Sequence, residues 1–209
     1  MRPITVLRAA SGISCLGLLL IGVQLYQTTL EPAARELFVL RWATIPMEVF
    51  EATDLEPTVP LPVSVTLLSG VFLHAGWLHL ASNVVLLALF APGLELAEGA
   101  WRTLGIFLLG GVAGGLAQIA ANPLSLAPLL GASGGVAALM LARVLCSPTP
   151  RSLRLILVAW VAMQAAALVE AVLVRRWLGG GLAVWSHLGG LAIGAVAGLI
   201  LRARHSPSG

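Results

Sequence analysis

Long apolar segments alternate with short polar ones along most of this chain. Six of these segments are predicted to be helices, at about residues 9–27, 78–97, 103–121, 132–146, 154–174 and 182–201. Most approach the roughly 20 residues that an α-helix needs to cross the hydrocarbon core of a bilayer. The fourth is short, because about 15 residues rise only about 22 Å against about 30 Å of hydrocarbon. The pattern predicts an all-α polytopic membrane protein with six transmembrane helices in one domain over residues 1–209.

The composition agrees with a chain that lies in a lipid bilayer. Of its 209 residues 58% are hydrophobic and 10% charged, with a mean hydropathy of +0.97, whereas a soluble domain carries about 25% charged residues. A net charge of +3 could indicate that the protein binds nucleic acid. The arginines stand singly or in pairs at the ends of apolar segments, however, so no nucleic-acid partner is predicted. The two cysteines, Cys15 and Cys146, lie in or at the end of such segments, and no disulfide is predicted.

The distribution of arginine predicts the orientation in the membrane, since the chain has no lysine. With the N-terminus inside, eight of the 12 arginines fall on the inner side and four on the outer side. Positive residues concentrate on the cytoplasmic side. We therefore expect a multi-pass protein of a bacterial inner membrane with both termini in the cytoplasm. The long connector between the first two spans, residues 28–77, holds six of the nine acids and then faces outward.

A serine stands where the short fourth helix begins, in Gly131-Ala132-Ser133-Gly134. Small residues of this kind also serve close helix packing alone. If Arg143 anchors the inner end of the helix, its outer end stops below the membrane surface. Ser133 is then submerged at a helix N-terminus, where free backbone N–H groups favour negative charge. The preceding stretch 122–130 has two prolines and no charge, which predicts a loop dipping into the membrane.

A histidine stands near the outer start of the sixth helix, followed by glycines on the same helical face. Gly190, Gly194 and Gly198 follow His187 at +3, +7 and +11. Such a face lets another backbone approach closely, so a packed histidine beside a helix contact is one interpretation. Placing an imidazole inside a membrane costs free energy, which favours the interpretation that His187 has a function. If this face meets the small residues after Ser133, hydroxyl and imidazole come within hydrogen-bonding reach, as an activated serine requires.

A second polar pair lies on the second predicted span. His79 and Asn83 are four residues apart, so both side chains point the same way. They form either an interhelical hydrogen-bonding pair or two donors aimed at an oxyanion. His74, just before this span, is interpreted as a structural hydrogen-bonding residue of the connector.

Together these three groups resemble the motifs of the rhomboid proteases. HxxxN (His79, Asn83), GxSG (Gly131, Ser133, Gly134) and HxxGxxxG (His187, Gly190, Gly194) match that family in identity, order and spacing, over about residues 62–201. The resemblance implies a six-helix rhomboid bundle with a long outward-facing connector between helices 1 and 2. It also implies that Ser133 is the nucleophile and His187 the general base. His79, Asn83 and the backbone N–H of Ser133 would form the oxyanion hole.

The sequence departs from the family pattern at two places. Many relatives carry Trp-Arg early in the connector, where this chain has Val65-Thr66. Many bacterial members have an aromatic residue one turn after the serine that stacks on the base, and here that residue is Ala137. The contacts of the connector and the support of the His187 ring are therefore left unassigned.

The function implied by the resemblance is intramembrane serine endopeptidase, with single-span transmembrane proteins as substrates cleaved near the outer membrane surface. No aspartate is placed to orient His187, so a dyad held by packing is expected. No cofactor is predicted, and two histidines without a cysteine or carboxylate companion make a poor metal site.

One alternative is a non-catalytic protein that binds client transmembrane helices. A small transporter is less favoured, because Glu170 is the only acid well inside a predicted span. The oligomeric state is not predicted.

Overall fold

The computed structural model describes residues 11–50, 61–173 and 183–205 as a bundle of α-helices. The helices are α1 (Ser11–Thr29), α2 (Pro32–Trp42), α3 (Pro46–Phe50), α4 (Val63–Ser69), α5 (Trp77–Glu98), α6 (Ala100–Ala121), α7 (Ser133–Cys146), α8 (Arg151–Leu173) and α9 (Val184–His205), with a 3-10 turn at Gly70–Phe72 after α4. Five of them, α1, α5, α6, α8 and α9, are long and apolar enough to cross a membrane. Together with the short α7 they confirm the predicted all-α membrane fold.

The observed helix ends differ from the predicted ones by a few residues. Helix α8 begins three residues before the predicted 154, and α9 continues four residues beyond the predicted 201. Predicted ends at residues 9, 174 and 182 lie outside the described residues. So does the part of the connector at 51–60, which includes three of its acids.

The short helix α7 forms the centre of the bundle. Nine of its 14 residues are buried, and α5, α6 and α9 pack around it. Its length corresponds to a rise of only about 21 Å, so it cannot reach both surfaces of a bilayer about 30 Å thick. At least one end of α7 therefore falls short of the membrane surface, and the residue at its N-terminal end is Ser133.

Glycines bring the backbone of α9 against the backbone of α7. A Cβ atom built on Gly194 would lie 2.5 Å from the carbonyl oxygen of Ala138, and one on Gly190 would overlap the carbonyl oxygen of Gly134. Gly190 and Gly194 are buried. Because the neighbours are backbone atoms, no side chain at these positions can be accommodated by a change of rotamer. The glycine face therefore sets the separation of α7 and α9.

The connector is hydrogen-bonded to the loop that precedes α7. Thr44 and Leu129 exchange two backbone hydrogen bonds, with N–O distances of 3.3 and 2.7 Å, and the Gly131 N–H donates to the Gly70 carbonyl at 2.9 Å. Gly131 has φ +127°, a backbone conformation that only glycine adopts without strain. Non-helical backbone at membrane depth requires such protein cover for its polar groups. The connector supplies that cover.

Two buried acids join helices at the distal end of the bundle, which we define as the end of α5 where Glu95 and Glu98 lie. The Glu95 carboxylate accepts the backbone N–H groups of Gly12 and Ile13 at 3.0 and 2.9 Å. It thereby satisfies donors at the start of α1 that have no partner within that helix. Glu98 lies 2.6 Å from the imidazole of His205. Helices α1, α5 and α9 are thus held together far from Ser133.

Candidate active site

Ser133 and His187 lie side by side near one end of the bundle. The Ser133 Oγ atom is 2.9 Å from the Nε2 atom of His187. Ser133 is the first residue of α7 and His187 lies in the first turn of α9, so the backbone contact between these helices fixes the distance. Both side chains are partly exposed. The structure therefore brings together the two residues that the sequence motifs single out.

Two side chains of α8 hold the ring of His187. The Oε1 atom of Gln164 lies 2.7 Å from Nδ1 of the imidazole. The ring of Trp160, one turn earlier, has its centroid 5.1 Å from that of His187. Ala137 is small and fully buried, so the aromatic contact comes from α8 rather than from α7. Sequence reasoning missed both residues, although an amide four residues after a tryptophan in an apolar segment was a usable signal.

His79 and Asn83 lie in the first two turns of α5, with the His79 ring beside Gly131. Asn83 is 3% exposed, and its Nδ2 atom donates to the backbone carbonyl of His79 at 3.1 Å. A Cβ atom built on Gly131 would lie 2.9 Å from His79 Nε2 and 3.9 Å from Ser133 Oγ. A side chain at position 131 would therefore clash with the His79 imidazole, so the glycine allows this ring to lie close to the start of α7.

His74 is a buried structural residue behind His79. The backbone N–H of Ala132 donates to its Nε2 atom at 3.5 Å, and the Gln27 carboxamide lies 3.3 and 3.5 Å from its backbone O and N. Its ring lies 5.0 Å from that of His79, centroid to centroid. Burial, reinforced by His79, lowers the pKa of His74 from 6.5 to about 4. The neutral ring can then accept the Ala132 bond, which is the structural role expected of it.

A small depression opens beside Ser133. Its lining includes three residues that carry hydroxyl groups, Thr44, Thr66 and Ser186. Thr66 occupies one of the two positions where the sequence lacks the Trp-Arg pair. Its hydroxyl lies 3.1 Å from that of Thr44, so at this position the connector is held by a pair of threonines. The hydroxyl lining suits the depression to water or to a polar backbone.

Comparison with known proteins agrees with this architecture. The model of the Rhomboid domain family matches residues 63–204. The chain is 35% identical to human Rhomboid-related protein 3 over 154 residues, which are 64% of this chain and 35% of that protein. It is 47% identical to Rhomboid-related protein 1 of Caenorhabditis elegans over 76 residues, 36% and 21% of the two chains. It is 45% identical to Rhomboid-like protease 5 of Toxoplasma gondii over 65 residues, 31% and 8% of the two chains.

The chain is thus an integral membrane protein of polytopic helical type. It belongs to the rhomboid family, because the matched domain covers most of its length and contains Ser133, His187, His79 and Asn83. The chain spans about a third or less of the length of each of these relatives.

Proposed function

We propose that this protein is an intramembrane serine endopeptidase that cleaves single-span transmembrane proteins through Ser133 and His187. The observation that carries the proposal is the 2.9 Å distance between Ser133 Oγ and His187 Nε2. A hydroxyl within hydrogen-bonding reach of an imidazole is the arrangement that activates a serine nucleophile. It recurs here in a family whose relatives include a protein named Rhomboid-like protease 5.

The first half of the proposed reaction forms an acyl-enzyme. Ser133 Oγ attacks the carbonyl carbon of the substrate peptide bond while His187 Nε2 takes the hydroxyl proton. The tetrahedral intermediate then collapses, the C–N bond breaks, and His187 returns the proton to the leaving amine. In the second half a water attacks the acyl carbon and gives a proton to His187. The bond between the acyl carbon and Ser133 Oγ then breaks, His187 returns its proton to Oγ, and the new carboxylate departs.

The negative charge of the intermediate is proposed to lie beside Ser133, facing His79 and Asn83. The His79 ring packs against Gly131 near the serine, and the amide of Asn83 has a second N–H besides the one donated to the His79 carbonyl. The backbone N–H of Ser133 belongs to the first turn of α7, where helix carbonyls cannot accept it. Donors directed at a developing oxyanion typically contribute about 2.7–4 kcal/mol each.

The proposed orientation puts the site towards the outer surface and both termini in the cytoplasm. Arginines support it, because Arg102, Arg143 and Arg202 lie toward the end of the bundle distal to Ser133. The hydroxyl-lined depression beside Ser133 would admit the water for deacylation from that outer side. A substrate helix would have to unwind there to present a peptide carbonyl.

The test is labelling by a fluorophosphonate probe and cleavage of a model transmembrane substrate in detergent. Wild type is expected to react with the probe and to cleave, whereas Ser133→Ala and His187→Ala lose cleavage. The loss of either partner costs on the order of 10⁶ in rate in a soluble serine protease. Ser152→Ala, an exposed serine of α8, is the matched control and should behave as wild type. Circular dichroism melting verifies that all variants are folded.

The competing function is the binding of client transmembrane helices without cleavage. It predicts that wild type captures a substrate helix but neither hydrolyses it nor reacts with the probe. Cleavage that persists near the wild-type rate in Ser133→Ala or His187→Ala would refute the catalytic pair.

A further inference from the structure

The membrane-spanning helix α8 carries one buried polar side chain that faces the base. Leu157 and Gln164 are the two buried residues of this helix among those whose side chains the structure describes. Gln164 is 5% exposed, although its neighbours on the helix face outward. A carboxamide in an apolar environment costs free energy unless it is hydrogen-bonded. Its described partner is Nδ1 of His187, at 2.7 Å.

The direction of this hydrogen bond follows from the chemistry of the two groups. The structure places Gln164 Oε1 against Nδ1, and because an amide oxygen only accepts, Nδ1 carries the proton in this orientation of the amide. A neutral imidazole has one ring proton, and Nε2 is then left with a lone pair. Nε2 is the atom that faces the Ser133 hydroxyl. In this arrangement His187 can accept the serine proton at Nε2.

We infer that Gln164 is a positioning residue that fixes the tautomer and the orientation of His187. This inference rests on the proposed function for its catalytic meaning. Gln164 occupies the place that a carboxylate holds in a Ser-His-Asp triad, where the third residue keeps the imidazole in the correct tautomer. The expectation from sequence was that packing alone holds the base. With the Trp160 ring beside the imidazole, both the hydrogen bond and the ring contact come from α8.

Substitutions at position 164 separate this role from simple packing. Gln164→Leu keeps the approximate volume and removes the acceptor, whereas Gln164→Glu keeps an acceptor oxygen. Gln24→Leu is the matched control, since Gln24 is a 4% exposed glutamine of α1 whose Oε1 atom has no hydrogen-bond partner among the described residues. Removing the tautomer-setting residue of a soluble protease costs about 10⁴ in kcat, and a neutral amide should matter less.

The expected kinetic result is a fall of about 10²-fold in fluorophosphonate labelling and in kcat for Gln164→Leu, with KM changed less than about threefold. Gln164→Glu should recover activity to within about tenfold of wild type. Gln24→Leu should label at the wild-type rate. A Gln164→Leu protein that is folded and labels as fast as wild type would overturn the inference.

Nitrogen-15 NMR of histidine-labelled protein gives a readout that needs no activity. At pH 8 the wild-type His187 signal, assigned by its loss in His187→Ala, should show Nδ1 protonated and Nε2 unprotonated. Gln164→Leu should populate both tautomers. A wild-type spectrum with the proton on Nε2 refutes the role of Gln164 even if the protein cleaves substrates. The expected spectrum without probe reactivity instead refutes the protease and leaves the hydrogen bond established.

Discussion

Replacing Gly194 by valine tests whether the glycine face of α9 sets the catalytic contact. A Cβ atom at this position would lie 2.5 Å from the carbonyl oxygen and 2.9 Å from the Cα atom of Ala138. Ordinary contacts between such atoms lie at about 3.5–4.0 Å. Because both neighbours are backbone atoms of α7, the strain is relieved only by moving the helices apart. The required displacement is about 1 Å.

This displacement would reach the Ser133–His187 pair. Gly194 lies seven residues after His187, about 10 Å along a helix that moves as a rigid element. An added 1 Å would lengthen the 2.9 Å distance between Ser133 Oγ and His187 Nε2 to nearly 4 Å, beyond hydrogen-bonding range. A misplacement of this size costs about 100-fold in rate. Overpacking also destabilises a protein by about 1–3 kcal/mol.

The assay compares substrate cleavage and detergent-solution melting of Gly194→Val with two controls. Gly105→Val is the same replacement in α6, where a Cβ atom would meet nothing within 4 Å, so it reproduces the helix-propensity cost without the clash. Leu199→Val lies on α9 itself, at a residue 56% exposed. Both controls should retain activity within about twofold, while Gly194→Val loses about 100-fold and melts several degrees lower.

Cleavage and a melting temperature like those of the two controls in Gly194→Val would contradict this role of the glycine face. That result would mean that α7 and α9 separate without cost, so their close contact does not determine the position of the imidazole. A loss of stability without a loss of rate would keep the packing role of Gly194 and remove its link to the site.

Two further predictions concern His79 with Asn83, and His74. His79→Ala and Asn83→Ala should each lower turnover by about 10²–10³-fold without abolishing it, and unchanged turnover in both would leave the pair a purely structural contact. For His74, whose pKa falls from 6.5 to about 4, the unfolded chain binds a proton between these pH values that the folded protein excludes. Stability is therefore full above pH 6.5 and falls by about 3 kcal/mol as the pH drops to 4. His74→Gln should melt with a weaker dependence on pH, and parallel melting curves for the two proteins would contradict this.

The spanning helices were predictable from sequence because apolar length is a strong local signal. The short α7 was predictable for the same reason. Helices α2, α3 and α4 were not predictable, because helices of five to 11 residues are too short to give a distinct hydropathy signal. The pairing of Thr44 with Leu129 joins residues 85 positions apart through backbone atoms. Every residue has such atoms, so no residue type marks the contact.

Within the site, the sequence was informative where a helical period linked residues to each other. The glycines after His187 share its face, which is why their contact with the residues after Ser133 could be expected. Gln164 was different, because its approach to His187 depends on how α8 is rotated and on where it lies beside α9. The cap that Glu95 forms on α1 was not predictable for a similar reason. Its donors are the backbone N–H groups of Gly12 and Ile13, and the residue types do not reveal such a contact.

The positions of the two catalytic candidates along the chain have a consequence for biosynthesis. His187 lies on α9, the last helix that the structure describes, and 54 residues separate it from Ser133. At about 5–20 residues per second, a ribosome needs roughly 3–11 s to synthesise that interval. During this time the nascent chain carries the serine, and then Gln164, without the imidazole that joins them. Hydrolytic activity of the proposed kind would begin in each chain only when α9 has entered the membrane and packed against α7, so a chain still being synthesised cannot cleave its own helices or those inserted beside it.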